Sequence, residues 1–416
     1  MNRVYEIAIL MVETARVAAR NALRGGARSA IAVAAIGFAL LMVLLQLGFL
    51  NAVRITGTNL YNELDFDIMI VSPNYDELYS PGDFPKERLV RAKSLASVVA
   101  ARPVFTSFGM WRCPPYPFDP AEHREKPLLK LLGLERPPQP LQRRELLVIG
   151  IDLDDNPFRE PVRSRIEAEK SKLKLAGRVL LNERSNPEYG WPNRSRFHDW
   201  ELNLTAVEVV GGFFMLRGFG SDGSLICGDR DFGAILGRDV DDRVNLGLVK
   251  VVPGTVQSTI KALQQLLPND VWILSREEMI RMESAYWVEL TSTGMIFSIG
   301  VLVSLLVATI VIHQIVGADV RRRLAEYATL RACGHGATTN HAIVVFQSLI
   351  YGLAAFVPAV AGALGVYRLT EDATRIPMRL TTENLAIALA TAIAAGLVGS
   401  ILALGKLRSA DPADLM

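Results

Sequence analysis

The residue types that usually carry chemistry occur in this chain, but not in working arrangements. A phosphate loop needs G-x-x-x-x-G-K-[ST], a nucleophile elbow G-x-S-x-G and a zinc peptidase H-E-x-x-H; none of these strings is present. Cys113, Cys227 and Cys333 show no C-x-x-C or Cys/His spacing, so neither a metal site nor a bound cofactor is expected. His123, His198 and Asp199 lack partnered spacing and read as surface residues. What remains is recognition chemistry, concentrated in 321–334, R-R-R-L-A-E-Y-A-T-L-R-A-C-G. As a helix, this stretch sets Arg323, Glu326, Tyr327, Leu330 and Arg331 at i, i+3/i+4 spacing, and Gly334 and Gly336 stop it. Such a helix can seat Leu330 and Tyr327 outward in a groove of a soluble partner, with Glu326 and Arg331 setting its orientation. The bland alternative is a solvated loop, which has no need of an outward Tyr and Leu.

The elements that must position this stretch are membrane spans. The chain has 416 residues, half of them hydrophobic, and a net charge of +2, which suits membrane helices plus a sizeable water-facing domain. No basic stripe interleaved with aromatics appears, so nucleic acid is not an expected partner. Four apolar stretches are long enough to span: 29–53, 287–318, 342–367 and 384–405. Arginines crowd the flank before the first span (Arg16, Arg20, Arg24, Arg28) and the 319–341 loop (Arg321, Arg322, Arg323, Arg331). The positive-inside rule then places residues 1–28, the loop 319–341 and the tail 406–416 in the cytoplasm. Residues 54–286 and the short loop 368–383 lie outside. Residues 3–24 read as an amphipathic helix in the membrane interface, with a helix packed on a neighbouring protein as the alternative. Ionisable side chains are nearly absent from the spans apart from His313, which argues against an ion-coupled carrier.

The external segment reads as an α+β domain: strands at 66–72, 145–152, 178–182, 202–216, 244–252 and 271–274, with helices at 84–94 and 255–267. The run 244–274 has the order strand, helix, strand, which suggests a small βαβ layer. Prolines cluster between Cys113 and Pro140, a sign of an irregular loop. Cys113 and Cys227 share this external side, so a disulfide between them is open, while Cys333 stays reduced. From Ser275, with Glu278 available for a capping box, no proline interrupts the chain before the second span ends. A single helix from Arg276 to Ala318 would be roughly 65 Å long and would act as a rigid stalk. In the fourth span, Ala392/Gly396 and Ala395/Gly399 permit close helix approach, either within the bundle or in a homodimer.

The segment L-A-E-Y-A-T-L-R-A-C-G (324–334) resembles the E-x-x-x-L-[KR]-A-x-G element of FtsX/MacB-like permeases of ABC systems. More narrowly, the chain resembles DevC-type permeases, membrane subunits of a glycolipid exporter. The matching pieces are Q-L-G-F (46–49), L-D-F-D-I-M-I-V-S-P (64–73), L-L-N-E-R-S-N-P-E-Y-G (180–190), S-D-G-S-L (221–225) and K-L-R-S-A-D-P-A-D-L (406–415). The resemblance implies a non-catalytic, homodimeric subunit of the bacterial inner membrane. It implies a separate ABC ATPase that hydrolyses ATP and docks on Arg323, Glu326, Tyr327, Leu330, Arg331 and Gly334. It further implies a periplasmic membrane-fusion adaptor, an outer-membrane channel and a lipid-like substrate. The rival is an FtsX-like transducer that activates a periplasmic partner and transports nothing.

The topology is directly testable. Cysteines introduced at Ser164 and Thr338 should label from opposite sides of the membrane; labelling of both from one side would overturn this arrangement.

Overall fold

The computed structural model describes residues 14, 16, 18–20, 26–115, 142–191, 198–218, 220–323, 325–327, 329 and 337–408. Most of the amphipathic segment 3–24, the prolines from 117 to 140, Cys333 and the tail beyond Arg408 lie outside the described residues. The chain divides into two compact units, one holding 1–52, 292–371 and 378–416, the other 53–291 and 372–377.

Helix α1 (Ala27–Gly57) begins the chain of described elements and is followed by α2 (Asn59–Glu63), β1 (Ile68–Val71), β2 (Phe84–Pro85) and α3 (Glu87–Ala92). Next come the two longest strands, β3 (Val98–Cys113) and β4 (Gln142–Ile151), then α4 (Val162–Leu173) and β5 (Arg178–Asn182). A small hairpin of β6 (Glu201–Leu202) and β7 (Thr205–Ala206) precedes β8 (Glu208–Phe213), β9 (Ser224–Gly228) and α5 (Asp229–Leu236). The domain closes with β10 (Arg243–Val244), β11 (Leu246–Val251), α6 (Val256–Leu266), β12 (Trp272–Ser275) and α7 (Arg276–Ala285).

These strands form one mixed sheet in the order β12-β1-β11-β3-β4-β9-β5-β8, with β10 and β2 paired separately. Pairings β4/β9 and β5/β8 are parallel, and the other described pairings along this path are antiparallel. Both faces are covered, which is why several strands read as continuous apolar runs rather than alternating ones. Period-2 geometry sorts their side chains: Ile68, Ile70, Leu146, Val148, Val179 and Leu181 go to one core, Met69, Val71, Leu147, Ile149 and Leu180 to the other. The first core is closed by Leu89 of α3, Phe232 of α5 and Ile260 and Leu263 of α6. The second is closed by Val162 and Ile166 of α4 and Met279 of α7.

Three expectations change. The βαβ reading of 244–274 becomes a split unit, because β1 inserts between β11 and β12 and pairs antiparallel with both. The single strand over 202–216 is broken, because Asn203 and Leu204 take left-handed φ values of 49° and 66° and turn the chain into the β6–β7 hairpin. The stalk is not one helix either. The capping box of Ser275 and Glu278 opens α7 as expected, but a π-helical turn over Tyr286–Leu290 follows, and Thr291 is extended (φ −86°, ψ 147°). No proline is needed for this break. Trp287 is held by its neighbour Glu283, and the Thr291 hydroxyl donates to the Trp287 carbonyl at 2.6 Å, ending the ladder locally.

The second unit contains α8 (Ser292–Arg322), α9 (Ala337–Thr374) and α10 (Thr382–Arg408), with the N-terminal part of α1. Four helices are long and apolar enough to cross a membrane: Ala27–Gly57, Ser292–Arg322, His341–Thr374 and Thr382–Ser400. Of the two readings left open for the small residues of α10, packing within the bundle is the one seen. Ala392 and Ala395 are buried, Gly396 lies against Ser348, and a Cβ at Gly399 would stand 3.1 Å from the His313 Cα.

One buried acid closes the base of the sheet domain. Glu283 is wholly inaccessible and accepts from the Tyr75 hydroxyl, the Leu78 amide (3.1 Å) and the Trp287 indole (2.9 Å). Burial nevertheless outweighs these donors and pushes its carboxyl up to about 7, with the nearby Glu77 adding to the shift. Because the folded value is raised, the stabilisation is complete below the ordinary carboxyl range near 4.5 and is lost as pH rises through about 7. The span corresponds to roughly 3 kcal/mol of local stability. In the full-length protein, hydrogen exchange over 276–290, corrected for intrinsic rates, should accelerate between mildly acidic and mildly basic pH. Glu283→Gln should flatten that dependence; an unchanged pH profile in the variant would remove Glu283 as its source.

Candidate functional site

The stretch expected to contact a partner begins where α8 ends. Arg323 turns the chain, its amide bonding the Val320 carbonyl at 3.1 Å, and 325–327 and 329 are helical. Arg323 bridges two carboxylates, Asp319 at 3.5 Å and Glu326 at 3.4 Å, and Glu326 is exposed. Leu330, Arg331 and Gly334 lie outside the described residues.

Tyr327 corrects the expectation that it points outward: it is 2% exposed. Its amide bonds the Arg323 carbonyl at 3.0 Å, and this helical turn carries the ring inward. Burial raises its phenol well above the ordinary range, so it stays a neutral donor. Helical spacing alone places Arg323 and Tyr327 on one row but does not say which side the bundle occupies.

Arg323, whose carbonyl accepts from the Tyr327 amide, belongs to a polar network that the sequence did not disclose. The Gln347 amide donates to the Asp319 carboxylate and, at 3.2 Å, to the Tyr351 hydroxyl. Tyr351 in turn lies 3.3 Å from the Ser29 hydroxyl. Ser29 is on α1, Asp319 on α8, and Gln347 and Tyr351 on α9, so three spans and the start of the partner-facing segment share one set of hydrogen bonds. Gln347 and Tyr351 are buried in an apolar bundle, where a broken polar contact costs more than in water. A displacement of 323–327 therefore cannot leave α8 and α9 unaffected. The residues were invisible to spacing arguments because Asp319 and Gln347 are far apart in sequence and a neutral amide in a span attracts no notice.

In the sheet domain, two sequence pieces that stood apart come together. Asn182 donates to the Met215 carbonyl at 2.9 Å and to the Ser224 hydroxyl at 3.0 Å. The Asn186 amide bonds the Asp222 carbonyl at 2.9 Å, and Arg217 reaches both Asn186 (2.7 Å) and Asp222 (2.8 Å). Gly190 is required here, with φ +92° and no room for a Cβ beside Trp200 and Pro114. Thus 180–190 and 221–225 are two halves of one polar knot. Into it comes a third piece, from the segment 372–377 between the last two spans. Arg375 donates to the carbonyls of Ser185 at 2.8 Å and Glu183 at 3.4 Å while its own backbone is left-handed, φ 59°. Guanidinium contacts to two carbonyls offset a backbone conformation that costs a non-glycine residue about 1 kcal/mol.

Cys113 and Cys227 are both free thiols, buried in the first core on β3 and β9. Burial pushes the Cys113 thiol up to about 12 and Cys227 higher still, so neither is a nucleophile.

Comparison with known proteins assigns the membrane unit. Residues 298–412 match the family model described as FtsX-like permease C-terminal, a range that contains the whole of the described network except Ser29. No curated protein matches the chain. Among solved structures, the chain is similar to the periplasmic region of MacB from Actinobacillus actinomycetemcomitans, with 12% identity, a TM-score of 0.33, and 55% of this chain and 94% of that one covered. It is also similar to the extracellular domain of the noncanonic ABC-type transporter YknZ from Gram-positive bacteria, with 11% identity, a TM-score of 0.30, and 51% and 100% covered. The chain is a multi-pass membrane protein with four candidate spans and, in sequence between the first and second, a mixed α/β domain. Over residues 298–412 it carries an FtsX-like permease C-terminal domain.

Arg375 supplies a sharp test. Arg375→Gly keeps the left-handed backbone at no steric cost and removes only the guanidinium. The variant should lose roughly 2 kcal/mol of local stability, seen as faster hydrogen exchange over 183–190 and 372–377. Exchange at wild-type rates in both segments would show that Arg375 does not hold them.

Proposed function

We propose that this chain is the membrane subunit of a tripartite ABC exporter of the bacterial inner membrane. In this reading it works as a homodimer with both termini in the cytoplasm. A separate ATPase docks on 323–334, and a periplasmic adaptor and an outer-membrane channel complete the path. The exported substrate is lipid-like or hydrophobic. The observation that carries the reading is the network joining Arg323 and Glu326 to Asp319, Gln347 and Tyr351 within an FtsX-like permease domain. A chain without a phosphate loop of its own, but with an exposed charged turn wired into its spans, is suited to receive motion from elsewhere.

The action is mechanical rather than channel-like. ATP-driven closure of two ATPase subunits would displace the exposed Glu326 side of the turn, and buried Tyr327 would pass that displacement to Asp319 and α8. The second sheet-domain attachment, through Arg375, gives motion of the spans a route other than the second span alone. Revised in this way, the surface offered to the ATPase is Glu326, Leu330 and Arg331, with Tyr327 acting behind it.

Leu330→Asp puts an unpaired charge into the partner's groove and should cost at least about 2 kcal/mol of binding, roughly a thirtyfold loss. The variant should reach the membrane and fold, yet no longer retain the ATPase on purification. Wild-type stoichiometry of ATPase on Leu330→Asp, with export intact, would falsify docking at this loop. Mass spectrometry of partners recovered with the wild-type chain from native membranes separates the two roles: an adaptor and outer-membrane channel support the exporter, a cell-wall hydrolase or its activator the transducer.

A further inference from the structure

A wide cavity lies among the spans. It encloses ≈ 700 Å³ and is bounded by the start of α1, the end of α8 and Tyr351 of α9. By contrast, the cleft beside Tyr79 and Arg217 in the sheet domain offers only ≈ 10 Å³, room for a single water.

The lining changes character along both helices in the same direction. On α1 it runs from Arg28 and Ser29 to Ile31, Ala32 and Ala35; on α8 it runs from Arg322 and Asp319 back to Ala318 and Ile315. Seven residues of helix cover about 10 Å, the depth from headgroup level into the hydrocarbon. Both apolar stretches lead toward the middle of a span, and both arginines mark its end.

The charge balance favours an anion. Three arginines face two carboxylates in this cavity, and Arg323 is already shared between Asp319 and Glu326. Among the described residues Arg28 and Arg322 meet no carboxylate. Arg322 is placed where a helix end favours a cation. Arg28 is not: it occupies the first turn of α1, at the positive end of the helix dipole, and that turn contains no acidic residue. A bound anion relieves that unfavourable placement and would find the hydroxyls of Ser29 and Tyr351 on the same wall. A free polar anion, however, has no use for Ile31, which is 68% exposed, or for Ala35 and Ile315 beyond it.

We propose that this cavity binds an anionic glycerophospholipid, its phosphate between Arg28 and Arg322 and an acyl chain along Ile31, Ala35, Ile315 and Ala318. The lipid would fill the space beside Asp319 and Tyr351 and so brace α1 against α8 at the end of the spans where the Arg323–Glu326 turn begins. The inference rests on the chain crossing a membrane and not on which substrate or partner it serves. Basic pockets between spans recognise lipid headgroups by this combination of charge and apolar wall.

The test uses the full-length protein in phosphatidylcholine vesicles doped with phosphatidylglycerol, then native mass spectrometry of the lipids retained. Phosphatidylglycerol should be retained and phosphatidylcholine not, and millimolar inorganic phosphate should fail to displace it. Arg28→Gln or Arg322→Gln should each lower retention about tenfold, and Arg28→Lys should restore part of it. Arg321→Gln, one residue from the cavity lining, should leave it unchanged. Equal retention of the two lipids, displacement by phosphate, or an equal loss in Arg321→Gln and Arg322→Gln would overturn the proposal. Should a variant fail to accumulate, the wild-type chain still decides: phosphatidylglycerol must slow hydrogen exchange over 28–35 relative to phosphatidylcholine alone, and no slowing counts against the site.

Discussion

The sheet domain depends on a carboxyl group that is buried where the chain enters and leaves it. Glu283 sits on α7, yet its hydrogen-bond donors come from Tyr75 and Leu78, close after β1, and from Trp287 on the following turn. Arg276, at the start of the same helix, reaches the carbonyls of Tyr61 and Leu64 and stacks its guanidinium over Phe66. The first turn of α7 therefore clamps the carbonyls at the end of α2, and its last turn clamps the loop after β1. Removing either clamp would free the two segments through which the sheet is joined to the rest of the chain. An apolar residue at 283 could fill the space but could not satisfy the Leu78 amide and the Trp287 indole, whose exposure to an apolar core costs about 1–3 kcal/mol each.

That arrangement changes the picture of force transmission drawn from the sequence. A continuous rod from Arg276 to Ala318 would carry displacement in one piece. The observed chain instead has a short helix anchored by buried Met279 and Glu283, then a π-helical turn, one extended residue at Thr291, and α8. Such a junction passes tension through the backbone but resists bending less than a helix does. Helix α1, in contrast, is unbroken from Ala27 to Gly57. The segment 372–377, pinned by Arg375, adds a further tie into the sheet domain. The sheet domain is thus joined to the spans by three segments of chain, at 53, at 291 and through 372–377.

What could be read in advance follows from the range of the interactions. Features fixed by neighbours in sequence were legible: the Ser275–Glu278 capping box, strand β5 over Arg178–Asn182, helix α6 and the apolar spans. Strand β3 was not, although it is the longest, because Pro103 and the mixed run V-V-A-A-R-P-V-F-T-S-F give no clean alternation. It forms because β11 and β4 pair with it on either side, a tertiary cause. The same limit governed the site. Within 324–334, Tyr327 was expected to point outward and is instead buried. Which side of its helical turn the bundle covers is decided only once α8 and α9 are packed, and no local spacing carries that information.

The packing of α8 shows how a membrane helix divides its two faces when water supplies no hydrophobic drive. Its buried row is Ser304, Ala308, Ile312, Val316 and Val320, spaced by four and mostly small or β-branched. Its exposed side carries Ile299, Leu302, Val303, Leu306 and Ile310, with Leu302 68% accessible. In water that distribution would be inverted; between lipid tails, large aliphatic groups cost nothing outside, and close contact of small residues is what holds helices together. The same rule settles the glycines and alanines of α10, which are used up against Ser348 and His313. A second copy of the chain could not dock on those residues without first opening the bundle. The aliphatic face of α8 is left as the surface that lipid or another subunit meets. That face lies on the helix that starts one residue after the break at Thr291, so whatever it touches shares a helix with the network at Asp319.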